Sequence, residues 1–490
     1  MCPDRRGWWL VLLVLALAPY LSGLHHAWVY DDHGVIVENE FLTDPSAWPR
    51  LLTLDTVRDA RVIDGQRPVV VASYLLDRAA WGLDPAGYRV TNLLLHLLAA
   101  LLWFTLLTRV DKTRTAGFAA LLFAVHPLCI EAVISPAFRE DLLCLVFGLV
   151  YLHAWWTPQR SVARAVSGGV ALVFSLLAKE AAVVFPLALA AGWWCFPATR
   201  PPHALIARRL VVSVLLVGGF LLMILGGRPV QAMGGVWNGL SLRGTEGVWT
   251  APWLAVSTLG RMLAPVSLSV DYVVTPIAGL RAPRIWIAAL VLGLGLIAVM
   301  RYRRTPSVMM AALWMAVMFF PVSNLLPLYN PLADRYAYAI LPGFAWLLVV
   351  AAQRWSPRAW IALALVAVLS LGFTTVRIRD WKNDRALWTA ALKVEPRSAR
   401  AHTWLGLLEK RAGRPESAWT YFLLAEELNP HDVTAAVNRA ILMGEAGDLA
   451  GAEVVLRDVL ARRPDHLLAR RNLDTCLIQQ GKPPESPPKF

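Results

Sequence analysis

Long apolar runs dominate this chain and leave it few folds to choose from. Stretches of spanning length lie near residues 8–24, 89–108, 115–134, 141–157, 162–178, 181–197, 208–226, 285–300, 306–326, 337–353 and 358–376. A bilayer core offers no water to exposed backbone amides, so such runs fold as helices whose N–H and C=O groups are paired internally. The expected fold class is all-α: a polytopic membrane helix bundle of about eleven spans. A further run at 250–268 carries Arg261 near its middle. A lipid-facing arginine at mid-span costs several kcal/mol, so this run is expected to be a re-entrant or interfacial helix.

The charge pattern agrees with a membrane protein. The net charge is +13 and 57% of the residues are hydrophobic. The basic residues cluster in short loops: Arg109, Lys112 and Arg114; Arg160 and Arg164; Arg200, Arg208 and Arg209; Arg301, Arg303 and Arg304; Arg354 and Arg358. These are topology signals that place the loops inside, and no nucleic-acid partner is expected. With the N-terminus inside and an odd number of spans, the C-terminal region falls on the extracytoplasmic side. Ala16-Leu17-Ala18 resembles a cleavage site, but Pro19 follows it, so the first helix is expected to remain. The five cysteines show neither metal spacing nor a disulfide framework.

With that topology the polar residues collect on the outer side. Asp31 and Asp32 follow the first helix, on a loop spanning 25–88. Asn92 and His96 share one helical face. His126, Glu131, Arg139, Glu140 and Asp141 fall in or near the next outer loop, and Lys179-Glu180 interrupts a long apolar run. Asp271-Tyr272 and Asp334-Arg335-Tyr336 also land there. Taken singly, each has a plain explanation: a solvated loop, a turn, a helix–helix contact, an ion pair. Gathered on one face of a membrane domain, they point to a functional site.

After Arg377 the composition turns charged and alanine-rich. Pro396, Pro430 and Pro464 recur every 34 residues, the tetratricopeptide period. Gly406 and Ala440, Ala418 and Ala452, Phe422 and Leu456 keep phase with it. The expected domains are a membrane domain over 1–376, a short tetratricopeptide helical solenoid over 377–481, and a disordered tail over 482–490. Such repeats bind partners, so a protein partner on this surface is expected.

Six stretches, in order, resemble one family: "YDDHGVIVEN", "RPVVVASYLLDRAAWGLDPAGYRVTNLLLHLL", "LLFAVHPLCIEAVISPAFREDLL", "LLAKEAAVVFPLAL", "FFPVSNLLPLYNPLADRYAYAILPGF" and "RDWKNDRALWTAAL". They look like the transmembrane and tetratricopeptide repeat-containing O-mannosyltransferases and their bacterial relatives, integral-membrane glycosyltransferases of the GT-C fold. The resemblance implies a polyprenyl-phosphate-linked sugar donor, an extracytoplasmic active site in the inner or plasma membrane, and inversion at the anomeric carbon. The family's acidic pair matches Asp31 and Asp32. Its His-Pro and Arg-x-Asp elements match His126-Pro127 and Arg139 with Asp141, its Lys-Glu matches Lys179-Glu180, and its Glu/Asp-Arg-Phe/Tyr matches Asp334-Arg335-Tyr336. One departure is Arg89, where the family commonly has His; another is the shortness of the repeat array.

Glycosyl transfer from a lipid phosphate needs a base for the acceptor hydroxyl, on a protein or a glycan, and a cation for the leaving phosphate. Asp31 or Asp32 could serve as the base; Asp32 is the expected one, with Asp31 orienting the sugar or binding its hydroxyls. Arg139, Arg261 and Arg335 are the expected phosphate ligands, since an arginine fork fits phosphate bidentately. His96, His126, Glu131, Asp141, Lys179, Glu180 and Asp334 are expected to support them. No cofactor is required; if a divalent metal takes part, Asp31, Asp32 or Glu131 would hold it. Two rivals stand beside the enzyme. One is a non-catalytic membrane scaffold acting through its repeats, which needs none of these residues. The other is a transporter, which would place its polar groups in broken helices at mid-bilayer.

Overall fold

The computed structural model describes residues 4–485 except 45, 52, 54, 60, 61, 159, 160, 228–244 and 357. Arg160 and residues 486–490 of the expected tail lie outside the described residues. Among the described residues the structure is helical with no strand, as the apolar runs require. The chain divides into two compact units, the boundary falling between Asn383 and Asp384, with Ser269–Val274 belonging to the second.

The first unit contains α1 (Arg5–Leu17), α2 (Pro68–Trp81), α3 (Pro85–Leu107), α4 (Thr113–Ala124), α5 (Ile130–Ile134), α6 (Arg139–Trp155), α7 (Val162–Ala178) and α8 (Phe185–Cys195). It continues with α9 (His203–Gly227), α10 (Thr245–Leu263), α11 (Pro283–Arg301), α12 (Pro306–Phe319), α13 (Leu341–Trp355) and α14 (Ala359–Arg377). Local chemistry starts several of them. Asp84 caps α3 by accepting from the Ala86 N–H at 3.0 Å, and Pro85 follows at the first helical position, where its missing N–H costs nothing. Asp4 caps α1 in the same way.

Every apolar run named above falls largely on helix. Five of these helices are long and apolar enough to cross a membrane, and α7, α8 and α12 are apolar but shorter. The run at 115–134 is not one straight rod: α4 and the Pro127–Ile134 stretch are bent by 55°. The 250–268 run becomes α10, with Pro252 inside it. Helix α6 is buried around nearly its whole circumference, and its packing is close enough that a Cβ on Gly148 would meet the Phe185 ring at 2.0 Å. Trp103, Trp314 and Trp346 build a buried aromatic layer, with Trp103 and Trp314 centroids 4.7 Å apart.

The second unit contains α15 (Asp384–Val394), α16 (Ala399–Arg411), α17 (Pro415–Leu428), α18 (Val433–Glu445), α19 (Leu449–Arg462) and α20 (Leu467–Gln479). Helices α16, α18 and α20 begin 34 residues apart, as do α17 and α19. The small residue of the repeat has a clear reason: a Cβ on Gly406 would meet the Phe422 ring at 2.6 Å. Asp271 belongs to this unit, where it accepts from Ser398 Oγ at 2.6 Å and pairs with Arg400 at 3.0 Å.

Candidate active site

Two prolines create the site by breaking the run that leaves α4. Each lacks an N–H and pushes the residue before it out of helical geometry. His126, before Pro127, sits at φ −72°, ψ 132°, and Ser135, before Pro136, at φ −93°, ψ 111°. Between them remains only the one-and-a-half-turn α5. The segment 124–141 thus folds back on itself with buried carbonyls and carboxylates facing its neighbours, and most residues singled out from the sequence are attached to it.

Asp32 is fully buried. Its Oδ1 accepts from Ser135 Oγ at 2.8 Å and from the Ala137 N–H at 2.9 Å, and its Oδ2 accepts from the Val29 N–H at 3.2 Å. Tyr30, at φ +53°, provides the left-handed turn that brings Asp32 back toward Val29. Burial raises the Asp32 carboxyl above its ordinary pKa, against the pull of Arg89 and the three donors. Both oxygens accept hydrogen bonds, and through them Asp32 pins the loop to the 135–137 turn. Asp31 beside it is half-buried.

Arg139 is tied to its neighbours in the same way. Its Nε donates to Asn92 Oδ1 at 2.7 Å, its Nη1 to the carbonyl and hydroxyl of Ser73 at 3.3 and 3.2 Å, and its Nη2 to Asp77 Oδ2 at 2.5 Å and the Tyr88 carbonyl at 3.0 Å. All five N–H groups are engaged and the side chain is wholly buried, so no donor remains for a phosphate. Arg89 plays a parallel part. It donates to the carbonyls of Leu24, His26, Ala27 and Ile134, tying the loop after α1 to the end of α5. The two histidines are internal bonds as well. His126 accepts from the Leu128 N–H at Nδ1 and donates from Nε2 to the Met262 carbonyl. His96 donates from Nε2 to the Ala124 carbonyl and accepts from Tyr338 Oη at Nδ1.

Two other arginines keep a different situation. Arg335 binds Glu131 twice, through its backbone N–H at 2.9 Å and through Nη1. Its guanidinium lies 4.0 Å over the Phe138 ring, whose centroid is 6.1 Å from that of Tyr30, the residue preceding Asp31. Burial would lower its pKa, but the Glu131 carboxylate outweighs it and holds the group permanently charged. Among the described residues the donors of Arg335 that make hydrogen bonds are Nη1 and the backbone N–H. Arg261, on α10, lies 3.8 Å from Asp334 Oδ1 and 3.3 Å from Thr258 Oγ1.

A second cluster flanks these. Lys179 donates to Asp141 Oδ1 at 2.6 Å and lies 3.7 Å from Glu140. Arg67 spans Glu180 at 2.9 Å, Asp64 at 3.4 Å and Glu140 at 3.6 Å. Sequence reasoning gave no role to Arg67, Asp64, Asp77 or Ser73. Arg67 lies inside the "RPVVV" motif and Asp77 inside "LLDRAA", but nothing local says what a loop residue will meet a hundred positions away.

The donor set does not fit a divalent ion held by Asp31, Asp32 and Glu131. Both oxygens of Asp32 and both of Glu131 already accept from protein donors. Among the described residues no three His, Cys, Asp or Glu side chains converge as ligands.

No family profile matches the chain. It is 24% identical to mouse Protein O-mannosyl-transferase TMTC3 over 477 residues, covering 88% of this chain and 52% of the mouse protein. It is 34% identical to Drosophila melanogaster Protein O-mannosyl-transferase Tmtc1 over 179 residues, 34% of this chain and 20% of that protein. The chain thus spans about half the length of TMTC3. Among solved structures it aligns with ArnT from Cupriavidus metallidurans bound to undecaprenyl phosphate, at a TM-score of 0.44 and 18% identity over 93% of this chain and 80% of that one. It also aligns with the Archaeoglobus fulgidus oligosaccharyltransferase tethered to an acceptor peptide, at a TM-score of 0.41 and 14% identity over 82% and 57% of the two chains. The resemblance carried by the six sequence motifs therefore extends to similarity with curated O-mannosyl-transferases over most of this chain.

Proposed function

We propose that this integral membrane protein is an inverting glycosyltransferase that moves a sugar, mannose by analogy with its relatives, from a polyprenyl-phosphate donor to a hydroxyl group of an extracytoplasmic acceptor. The analogy in name is to Protein O-mannosyl-transferase TMTC3. The observation that carries the reading is the attachment of the Asp31–Asp32 loop, Glu131, Arg335 and Lys179 to one folded-back segment, with the Arg261–Asp334 pair beside Arg335.

In this reading Asp31 is the base. Asp32 is committed to the turn, and two adjacent residues on a helical turn point about 100° apart. Asp31 takes the proton of the acceptor hydroxyl as that oxygen attacks the anomeric carbon. The new C–O bond forms as the bond from the anomeric carbon to the phosphate oxygen breaks, and a single displacement inverts the centre. The departing polyprenyl phosphate takes up the bonding electrons, and the charge it gains faces Arg335, with Arg261 and Lys179 as further cations. Glu131 holds Arg335 in place through the double hydrogen bond. Asp32, Arg89, Arg139, His96 and His126 fix the frame. The second unit, on the extracytoplasmic side, recruits an acceptor protein or another partner.

Mannose transfer from a polyprenyl-phosphate-mannose donor by the purified protein in proteoliposomes tests this reading. Wild-type protein transfers the sugar and Asp31→Asn does not; equal transfer by both overturns the assignment.

A further inference from the structure

Away from the polar segment, a groove of about 540 Å³ runs along α1, α4 and α14 of the first unit. Trp8 and Leu15 of α1, Phe118 and Leu121 of α4, and Trp360 and Ala367 of α14 line it at helical spacing, one face from each helix. An apolar face on a membrane protein needs only lipid tails, and by itself says nothing more.

The end of the groove at the start of α4 is different. Arg114 lines it, with its guanidinium 4.0 Å over the Trp360 ring. Its Nε is buried without a hydrogen-bond partner among the described residues, and no carboxylate there pairs with it. Trp8 is 3% exposed, and its Nε1 is likewise without a partner. Its indole lies against Gly117, where a Cβ would meet it at 2.2 Å, so the ring sits one helical turn from Arg114. Helix α4 itself begins with no side-chain cap on Lys112, leaving its first N–H groups open. A guanidinium at the positive end of a helix dipole, with its own Nε and the Trp8 Nε1 both unanswered, is unfavourable unless an anion is present.

We propose that this groove seats one acyl chain of an anionic phospholipid, with the phosphate on Arg114 and the α4 N-terminus, and with Trp8 Nε1 donating to a phosphate or ester oxygen. Helix α4 is about 18 Å long. The folded-back segment bearing Glu131 leaves its opposite end, so a phosphate at Arg114 is too remote to be the one carried by the sugar donor. A lipid seated there is independent of the enzymatic reading.

Native mass spectrometry of the delipidated full-length protein, titrated separately with phosphatidylglycerol, phosphatidylcholine and undecaprenyl phosphate, tests it. Phosphatidylglycerol binds in preference to phosphatidylcholine, and Arg114→Gln weakens it about tenfold. Ala364→Trp, which fills the groove, weakens it as much. Trp8→Phe keeps an aromatic ring in place while removing the N–H, and weakens phosphatidylglycerol about threefold. Equal affinity for the two phospholipids overturns the proposal. So does phosphatidylglycerol binding that is unchanged in Arg114→Gln or Trp8→Phe, or a loss in these variants confined to undecaprenyl phosphate.

Discussion

Glu131 grips Arg335 at two points, accepting from its backbone N–H at 2.9 Å through Oε2 and from Nη1 through Oε1, across 204 positions of sequence. Both side chains are buried. Removing one charge strands the other, a loss of about 3–5 kcal/mol for a pair of this kind. Glu131→Gln is therefore expected to lower the melting temperature. Arg335→Lys keeps the charge but loses the planar fork. It is expected to raise the donor KM and lower kcat by about tenfold or more while melting closer to wild type than Glu131→Gln does. Thermal melting in detergent and donor kinetics separate the two variants.

The adjacent aspartates are expected to fail in different ways. Asp31→Asn removes the base and lowers kcat by about 10²–10⁴-fold with little change in melting. Asp32→Asn places an amide where the Val29 N–H donates to Oδ2, setting donor against donor. That conflict costs about 1–3 kcal/mol and shows as a lower melting temperature. If Asp32→Asn melts like wild type and is inactive, the roles are reversed.

In the proposed reading Arg139 is a bolt rather than a phosphate ligand. Arg139→Lys keeps one charge but leaves most of the partners at Asn92, Ser73, Asp77 and Tyr88 unanswered. It is expected to destabilise by about 3 kcal/mol or more. The fraction that folds keeps the donor KM of wild type, which initial-rate kinetics on the purified folded fraction measure.

In the second unit, hydrogen bonds from Arg414 and Arg385 hold the Glu409 carboxyl at about 2, below its ordinary 4.5. A lowered folded-state pKa contributes stability above 4.5 that is lost as the pH falls toward 2. Hydrogen exchange of α16 in the full chain, corrected for the intrinsic pH dependence of exchange, is expected to accelerate over that interval. Glu409→Gln is expected to flatten the response while exchanging faster at pH 7.

Periodicity and composition made the helical fold legible: the apolar runs become helices, and the proline spacing of 34 reappears in the starts of α16, α18 and α20. The residues of the proposed site stood out as well, because ionisable residues are rare in apolar runs: Asp31, Glu131, Lys179 and Arg335 were all conspicuous. Their division of labour was not. An arginine in a motif shows its charge but not whether its N–H groups are already spent, and only the fold brings Ser73, Asp77, Tyr88 and Asn92 around Arg139. Pro127 and Pro136 were in plain view. Each is a helix break by its own chemistry, and Pro127 alone is enough to divide the 115–134 run.

The central claim is chemical, and the release of polyprenyl phosphate tests it most directly. Purified wild-type, Asp31→Asn and Asp32→Asn proteins would be given polyprenyl-phosphate-mannose and an extract of extracytoplasmic proteins, with polyprenyl phosphate and protein-bound mannose both counted. The account predicts matched amounts of the two products from wild type and neither from Asp31→Asn at an unchanged melting temperature. Polyprenyl phosphate released by Asp31→Asn at the wild-type rate, or none released by the folded wild-type protein, would contradict it.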